Sequence, residues 1–358
     1  MIWPARSSSD TPSAHPPGAP LPSRPERVRL LRALLGPTNP AVRPLARGIR
    51  STTHLHFERH VAPLVDAHWP ALRRDRFFEK LRIGACDLYA SAPYTALFCA
   101  PRRPLLVRLV TDTGDALPLP AWALAALGGA AMEVIGRFAY QAQHRRIILV
   151  AAFIVVVDHV FDHCLEGPAE ERADRLLALL DGGLAPAAPE LALTSALASA
   201  MAEGLDATER DAFEEAMERV REWIRAEVRG MNGAPDPLGL GHRLAGVEGT
   251  IDGLLFPLIR YAGEGARRWM YDVSMFVQIA DDWLDAEADR RSLRATPVLH
   301  GDWTFGSVAS SWQATLAGIE ALVRAAGLTS PRYVRFVREA YVLMMTDVLE
   351  AMIQRPDD

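Results

Sequence analysis

Asp281, Asp282 and Asp285 fall within little more than one helical turn in Val277-Gln278-Ile279-Ala280-Asp281-Asp282-Trp283-Leu284-Asp285. The surrounding stretch, Trp269 to Ala286, carries apolar residues at helical period and contains no Gly or Pro, so it reads as helix. At about 3.6 residues per turn, Asp281 and Asp285 lie one turn apart and Asp282 three residues before Asp285. Gln278 is a turn below them and Asp289 a turn above. Like charges so placed destabilise an isolated helix. A multivalent cation relieves the repulsion, and hard carboxylate oxygens favour magnesium.

A second acidic pair, Asp158 and Asp162, has i,i+4 spacing in Val155-Val156-Val157-Asp158-His159-Val160-Phe161-Asp162. It follows Ile147 to Val157, the most apolar stretch of the chain. Carboxylates on such a helix are costly unless paired or bound to metal. Two acidic faces distant in sequence can close around one magnesium–diphosphate cluster. Magnesium characteristically combines one or two carboxylates with waters and substrate phosphates.

Gln278-Ile279-x-Asp281-Asp282-x-Leu284-Asp285 is similar to the second aspartate-rich motif of trans-isoprenyl diphosphate synthases. Gly253-Leu254-Leu255-Phe256 to Ala262-Gly263 resembles the helix before that motif. Asp158-x-x-x-Asp162 stands in the place of the first motif, in a form closer to squalene and phytoene synthases. The resemblance covers roughly residues 140 to 290 and implies a class I isoprenoid synthase fold, an all-α bundle around a central apolar cavity. It further implies that Asp158, Asp162 and Asp281 bind a cluster of three magnesium ions, with Asp282 and Asp285 supporting or binding through water. Gln278 would fall near the same diphosphate, and a homodimer is compatible with the family.

Several positions depart from the family pattern. His159 replaces the usual second aspartate, and His163-Cys164-Leu165 replaces the arginine pair. The family's Lys-Thr pair would fall on Ile251-Asp252. There is no Gly-Lys-x-x-Arg-Pro element upstream, Lys80-Leu81-Arg82 being a distant echo. The Asn/Ser/Glu triad of terpene cyclases is also missing. Loss of the basic elements that hold isopentenyl diphosphate favours cyclisation or rearrangement of an allylic cation over chain elongation. The alternatives are a prenyltransferase using isopentenyl diphosphate or another acceptor, and a catalytically silent relative that binds prenyl diphosphate.

Under this reading, apolar and aromatic walls exclude water and stabilise cationic charge. Phe153 lies on the helix of Asp158 about 7.5 Å deeper and is a candidate pocket floor, as well as a candidate for ordinary core. Arginine suits diphosphate by its fork geometry, which singles out Arg290, Arg291 and Arg294 before the loop Thr296-Pro297-Val298-Leu299. As helix-end charges they also have a purely structural reading. Arg145 and Arg146 sit some three turns from Asp158, too far to serve it. Thr304 and Tyr341 are candidates for the cavity mouth. His159 and His163 share the i,i+4 spacing of a zinc pair, but no Cys or further His completes a site, so they read as neighbours of the acidic pair.

The elements that must position these groups are helical. Pro168-Ala169-Glu170-Glu171 opens one helix and Gly182-Gly183 closes it. Asp206 and Glu209 form a capping box for a helix to Gly230. Ser330-Pro331 starts another that runs through Ile353. Further helices are expected near 55–68, 70–90, 119–137, 139–165, 190–203, 243–262, 265–288 and 306–326. Only Leu105 to Thr111 has strand-like alternation. Residues 1–25, rich in Pro and Ser, read as a disordered tail, and 26–358 as a single all-α domain.

With 49% hydrophobic residues the chain has ample core, and its net charge of −5 without a basic tract argues against nucleic acid. Three cysteines without CxxC spacing suit a reducing cytoplasm. Ile147 to Val157 is too short for a membrane span, so no stable membrane insertion is expected.

Overall fold

The structure, a computed structural model, describes residues 21–86, 144–231, 264–291, 296–325 and 331–353, with the isolated helical positions 247 and 251. Among the described residues every regular element is a helix. The expected helix near 119–137, the strand-like stretch Leu105 to Thr111, Arg294 and most of the tail lie outside the described residues, and of the helix expected near 243–262 only Val247 and Ile251 are described, both helical and buried.

The first half contains α1 (Arg24–Leu35), a 3-10 turn (Pro40–Val42), α2 (Arg43–His60), α3 (Ala62–His68), a second 3-10 turn (Pro70–Arg74) and helix α4 over 76–86. Then come α5 (His144–His159), continued by a π turn (Val160–Cys164), α6 (Ala169–Leu180), α7 (Pro189–Ala202) and α8 (Ala207–Met231). The second half holds α9 (Glu264–Arg291), the short α10 (Pro297–His300), α11 (Phe305–Ala325) and α12 (Pro331–Ile353).

Local chemistry explains most of the boundaries. Glu209 N–H donates to Asp206 Oδ1 at 2.9 Å and Asp206 N–H to Glu209 Oε2 at 3.2 Å, the reciprocal pair that starts α8. Gly182 adopts a left-handed φ of 73° after α6, and Gly183 N–H returns to the Ala178 carbonyl at 2.8 Å. The expected helix over 55–68 is divided at Val61, because Pro63 opens α3 and has no N–H to continue α2. The expected helix over 70–90 begins instead with the 3-10 turn at Pro70. At the N-terminal end, Arg24 and Pro25, expected in the tail, already belong to α1.

Two packed groups emerge. In one, α5 packs on α7 and α2, with α3 on α7 and α6 on α8. In the other, α9 packs on α11, α12 and α1, and α11 packs on α12. Helix α2 touches both α5 and α12 and so links the groups. The stretch Arg145–Cys164 is long and apolar enough to cross a membrane by length and composition, and most of it is buried against neighbouring helices, as a core helix would be.

The second group is centred on aromatic rings. Phe276 of α9 meets Trp312 of α11 at 5.1 Å between centroids, and Trp312 stacks on Tyr341 of α12 at 5.4 Å. Trp269 completes the cluster at 5.3 Å from Tyr341 and donates its indole N–H to the Thr315 carbonyl at 2.9 Å. Gly318 lets α11 approach Trp269, since a Cβ there would stand 2.8 Å from Trp269 Cδ1.

Candidate functional site

Helix α9 carries the first acidic cluster because its opposite side is committed to the core. Trp269, Val273, Phe276, Ala280 and Trp283 are buried at helical spacing against α11 and its neighbours. That register turns Gln278, Asp281 and Asp285 to partly buried positions on another face. Asp282 goes deeper, with only 3% of its surface exposed. Its Oδ1 accepts a long hydrogen bond from Gln278 Nε2, 3.4 Å away. Gln278 therefore engages the acidic cluster itself.

The other pair ends α5. From Ile147 to Val157 this helix is buried almost throughout. Asp158 emerges exposed, Asp162 is half-buried and His163 is exposed. Between them the backbone widens into the π turn, closed by Leu165 N–H to the Val160 carbonyl at 3.1 Å. Such turns interrupt α-helices frequently at functional positions. Arg172 of α6 supports it, donating to the Phe161 carbonyl at 2.8 Å while its guanidinium lies 4.9 Å over the Phe161 ring.

His159 is held flat against Phe77 of α4, with 3.4 Å between centroids, and sits 6.4 Å from Trp69 and 5.0 Å from His163. Burial, then the positive charges of His163 and Lys80, lower its pKa to about 4. The imidazole is thus neutral at physiological pH, and its buried Nδ1 meets no hydrogen-bonding group among the described residues. The fold brings α4, and with it Lys80, to His159 at the Asp158–Asp162 end of α5, a proximity invisible in the linear spacing of Lys80-Leu81-Arg82. Arg82 itself is engaged by Glu79 and His54.

Helices α5 and α9 are not principal packing partners; they are joined through α2 and α12. Among the described residues, no group of three or more His, Cys, Asp or Glu converges as a ready metal site. Each acidic face presents its own carboxylates, and the i,i+4 pair on each is a donor set suited to a hard cation shared with phosphate oxygens.

The other sequence candidates divide clearly. Arg290 and Arg291 line a groove of about 600 Å³ together with Asp285 and with Ser23, Arg24 and Pro25 of the N-terminal region. Sequence spacing gave no indication of Arg24, 261 residues before Asp285 in the chain. Phe153 is buried in the seam between α5, α7 and α8, beside Met201, Phe213 and Met217. The void there is only about 10 Å³, too small to accept a prenyl chain, so Phe153 is core at this seam. Arg146 forms a buried pair with Glu209 at 2.7 Å and Arg145 pairs with Glu203, both away from Asp158.

Tyr341 does not reach a cavity mouth. It is fully buried in the aromatic cluster, and burial raises the pKa of its phenol. Thr304 is occupied at the start of α11, exchanging hydrogen bonds with Ser307 at 3.1 and 3.4 Å.

No family model, curated protein or solved structure matches the chain.

Proposed function

We propose that the protein is a magnesium-dependent terpenoid synthase that ionises an allylic prenyl diphosphate and cyclises or rearranges the resulting cation. The observation that carries this reading is the acidic face of α9, where Asp281 and Asp285 flank the nearly buried Asp282 beside Gln278. A stability-driven sequence would not place three carboxylates on a helix whose other faces are packed. The second support is Asp158 and Asp162 at the C-terminal end of the apolar α5.

In this mechanism Asp281 and Asp285 of α9 and Asp158 and Asp162 of α5 would hold the magnesium ions that engage the diphosphate. Magnesium, when bound, neutralises the leaving group and acts as a Lewis acid. Gln278, hydrogen-bonded to Asp282 Oδ1, would fix that carboxylate beside its neighbours. The neutral His159, fixed on Phe77, adds no charge to compete for the metal. Carbon–oxygen cleavage would yield an allylic cation and inorganic diphosphate, and the proton lost from the cation, or from the water it captures, would pass to the released diphosphate or to solvent.

The test is incubation of the purified chain with ten-, fifteen- and twenty-carbon allylic diphosphates, with and without magnesium and isopentenyl diphosphate. Magnesium-dependent hydrocarbon or alcohol from one allylic substrate alone is the expected result. Products formed only with isopentenyl diphosphate would replace this reading with a chain-elongating prenyltransferase. Metal-dependent binding without diphosphate release would replace it with a silent relative.

A further inference from the structure

We propose that the groove between the start of α1 and the last turns of α9 is a binding site for a condensed phosphate, held by Arg24, Arg290 and Arg291. The groove has a volume of about 600 Å³, and the three arginines share its walls with Asp285, Glu287 and Ser23. Glu287 is already spent. Its carboxylate takes two hydrogen bonds from the buried Arg27 behind the wall, at 2.6 and 3.0 Å.

Charge decides the ligand class. With Glu287 neutralised from behind by Arg27, the three wall arginines share the groove with one further carboxylate, Asp285, so the lining carries an excess of positive charge. The C-terminus of α9 contributes about half a negative charge, and the N-terminus of α1 at the same groove about half a positive one, so the helix ends nearly cancel. The convergence is visible at Glu287, whose carboxyl is held below the ordinary range first by its hydrogen bonds to Arg27 and then by the charges of Arg24 and Arg290. Planar guanidinium groups from two separate helices match a ligand with several phosphate oxygens better than a single carboxylate. Arg24 also donates to the Ile353 carbonyl at 3.3 Å, which fixes part of its fork and leaves the groove wall preorganised.

Asp285 borders both this groove and the acidic face of α9. The naming of the ligand as the diphosphate of a prenyl substrate or product rests on the proposed synthase function; the existence of the site does not. A diphosphate seated on the arginines would lie beside Asp285, on the side of α9 facing α1.

The experiment is calorimetric titration of the full chain with inorganic pyrophosphate in metal-free buffer, with sulfate at equal ionic strength as competitor. Binding should occur without magnesium and weaken at least tenfold in Arg24→Ala and in Arg291→Ala. Arg32→Ala, which removes an α1 charge paired to Glu350 outside the groove, should bind as the unsubstituted chain does. Arg24→Lys and the exposed Arg290→Ala guard against loss of folding, and both should also weaken binding. Absence of metal-free binding, unchanged affinity in the arginine variants, or full displacement by sulfate would overturn the site. Metal-free binding lost in Arg24→Ala, with no prenyl diphosphate consumed, would leave the groove standing and remove the synthase reading. Turnover with pyrophosphate affinity unchanged in Arg24→Ala would do the reverse.

Discussion

The imidazole of His159 lies on the ring of Phe77 with their planes within 10° of one another. Burial, and then the charges of His163 and Lys80, keep the folded-state pKa of His159 near 4, against an ordinary value of 6.5. His56, stacked on His60, is lowered to about 4 as well, by burial and then by the charges of His60 and Arg59. Both groups bind protons more readily in the unfolded chain. Their contribution to stability is therefore complete above pH 6.5 and is lost as pH falls toward about 4. Thermal melts followed by circular dichroism should show His159→Phe, which retains the stack, losing less stability than the parent across this window. Parallel curves for the two proteins would refute the assignment.

Gly318 and Trp269 make a second prediction. Trp269 is pinned by Thr315 and by the Tyr341 ring, so it has little freedom to retreat from a methyl group arriving at 2.8 Å. Gly318→Ala should destabilise: overpacking costs about 1–3 kcal/mol, against a helix-propensity gain of at most about 1 kcal/mol. Gly84→Ala, whose Cβ would meet Val155 at 3.2 Å, should have a smaller effect. Urea denaturation measures both, and a stabilised Gly318→Ala protein would contradict the packing described.

Removing Glu287 should cost more than removing Glu350. Glu287→Ala leaves the charge of Arg27, whose side chain is 1% exposed, without its carboxylate; because Glu287 is itself 46% exposed and Arg27 keeps the Pro22 and Leu284 carbonyls, the loss is about 1–3 kcal/mol. Glu350→Ala breaks the exposed Arg32 pair, worth at most about 1 kcal/mol. Equal losses for the two variants by urea denaturation would show that the buried pair does not fasten α1 to α9.

If the acidic faces act on a metal-bound diphosphate, Asp158→Asn and Asp281→Asn should each abolish magnesium-dependent diphosphate release. Asp158 is exposed and Asp281 only partly buried, so melting should change little, within about 0.5 kcal/mol for the exposed position. Near-normal release in both variants would end the metal-cluster mechanism.

The helices that position the acidic faces were legible where periodicity and caps coincide. Helix α9 was expected over 265–288 and spans Glu264–Arg291, and the Asp206–Glu209 box formed as read. Helix α1 was not placed, because it is rich in arginine and lacks a strong apolar stripe; its anchor is the distant Glu287. The π turn also escaped, since one widened turn leaves no trace in a hydrophobic period. In the candidate site, the i,i+4 carboxylates followed from spacing, whereas Arg24, Lys80 and Arg172 came into view only through tertiary packing. Tyr341, a candidate for the cavity mouth, lies instead in the core among the rings of Trp269 and Trp312, contacts that its spacing in the sequence does not reveal.

Arg27 and Glu287 are 260 positions apart, and Arg24 meets Ile353 across 329. At translation rates of roughly 5–20 residues per second, α1 leaves the ribosome on the order of 15–60 s before those partners exist. Through that interval Leu31 and Leu35, buried in the finished fold, have no native surface to meet on α9 or α12. The apolar side of the first helix thus waits for partners made much later, and the groove that α1 builds with α9 can form only after Arg291 has been added.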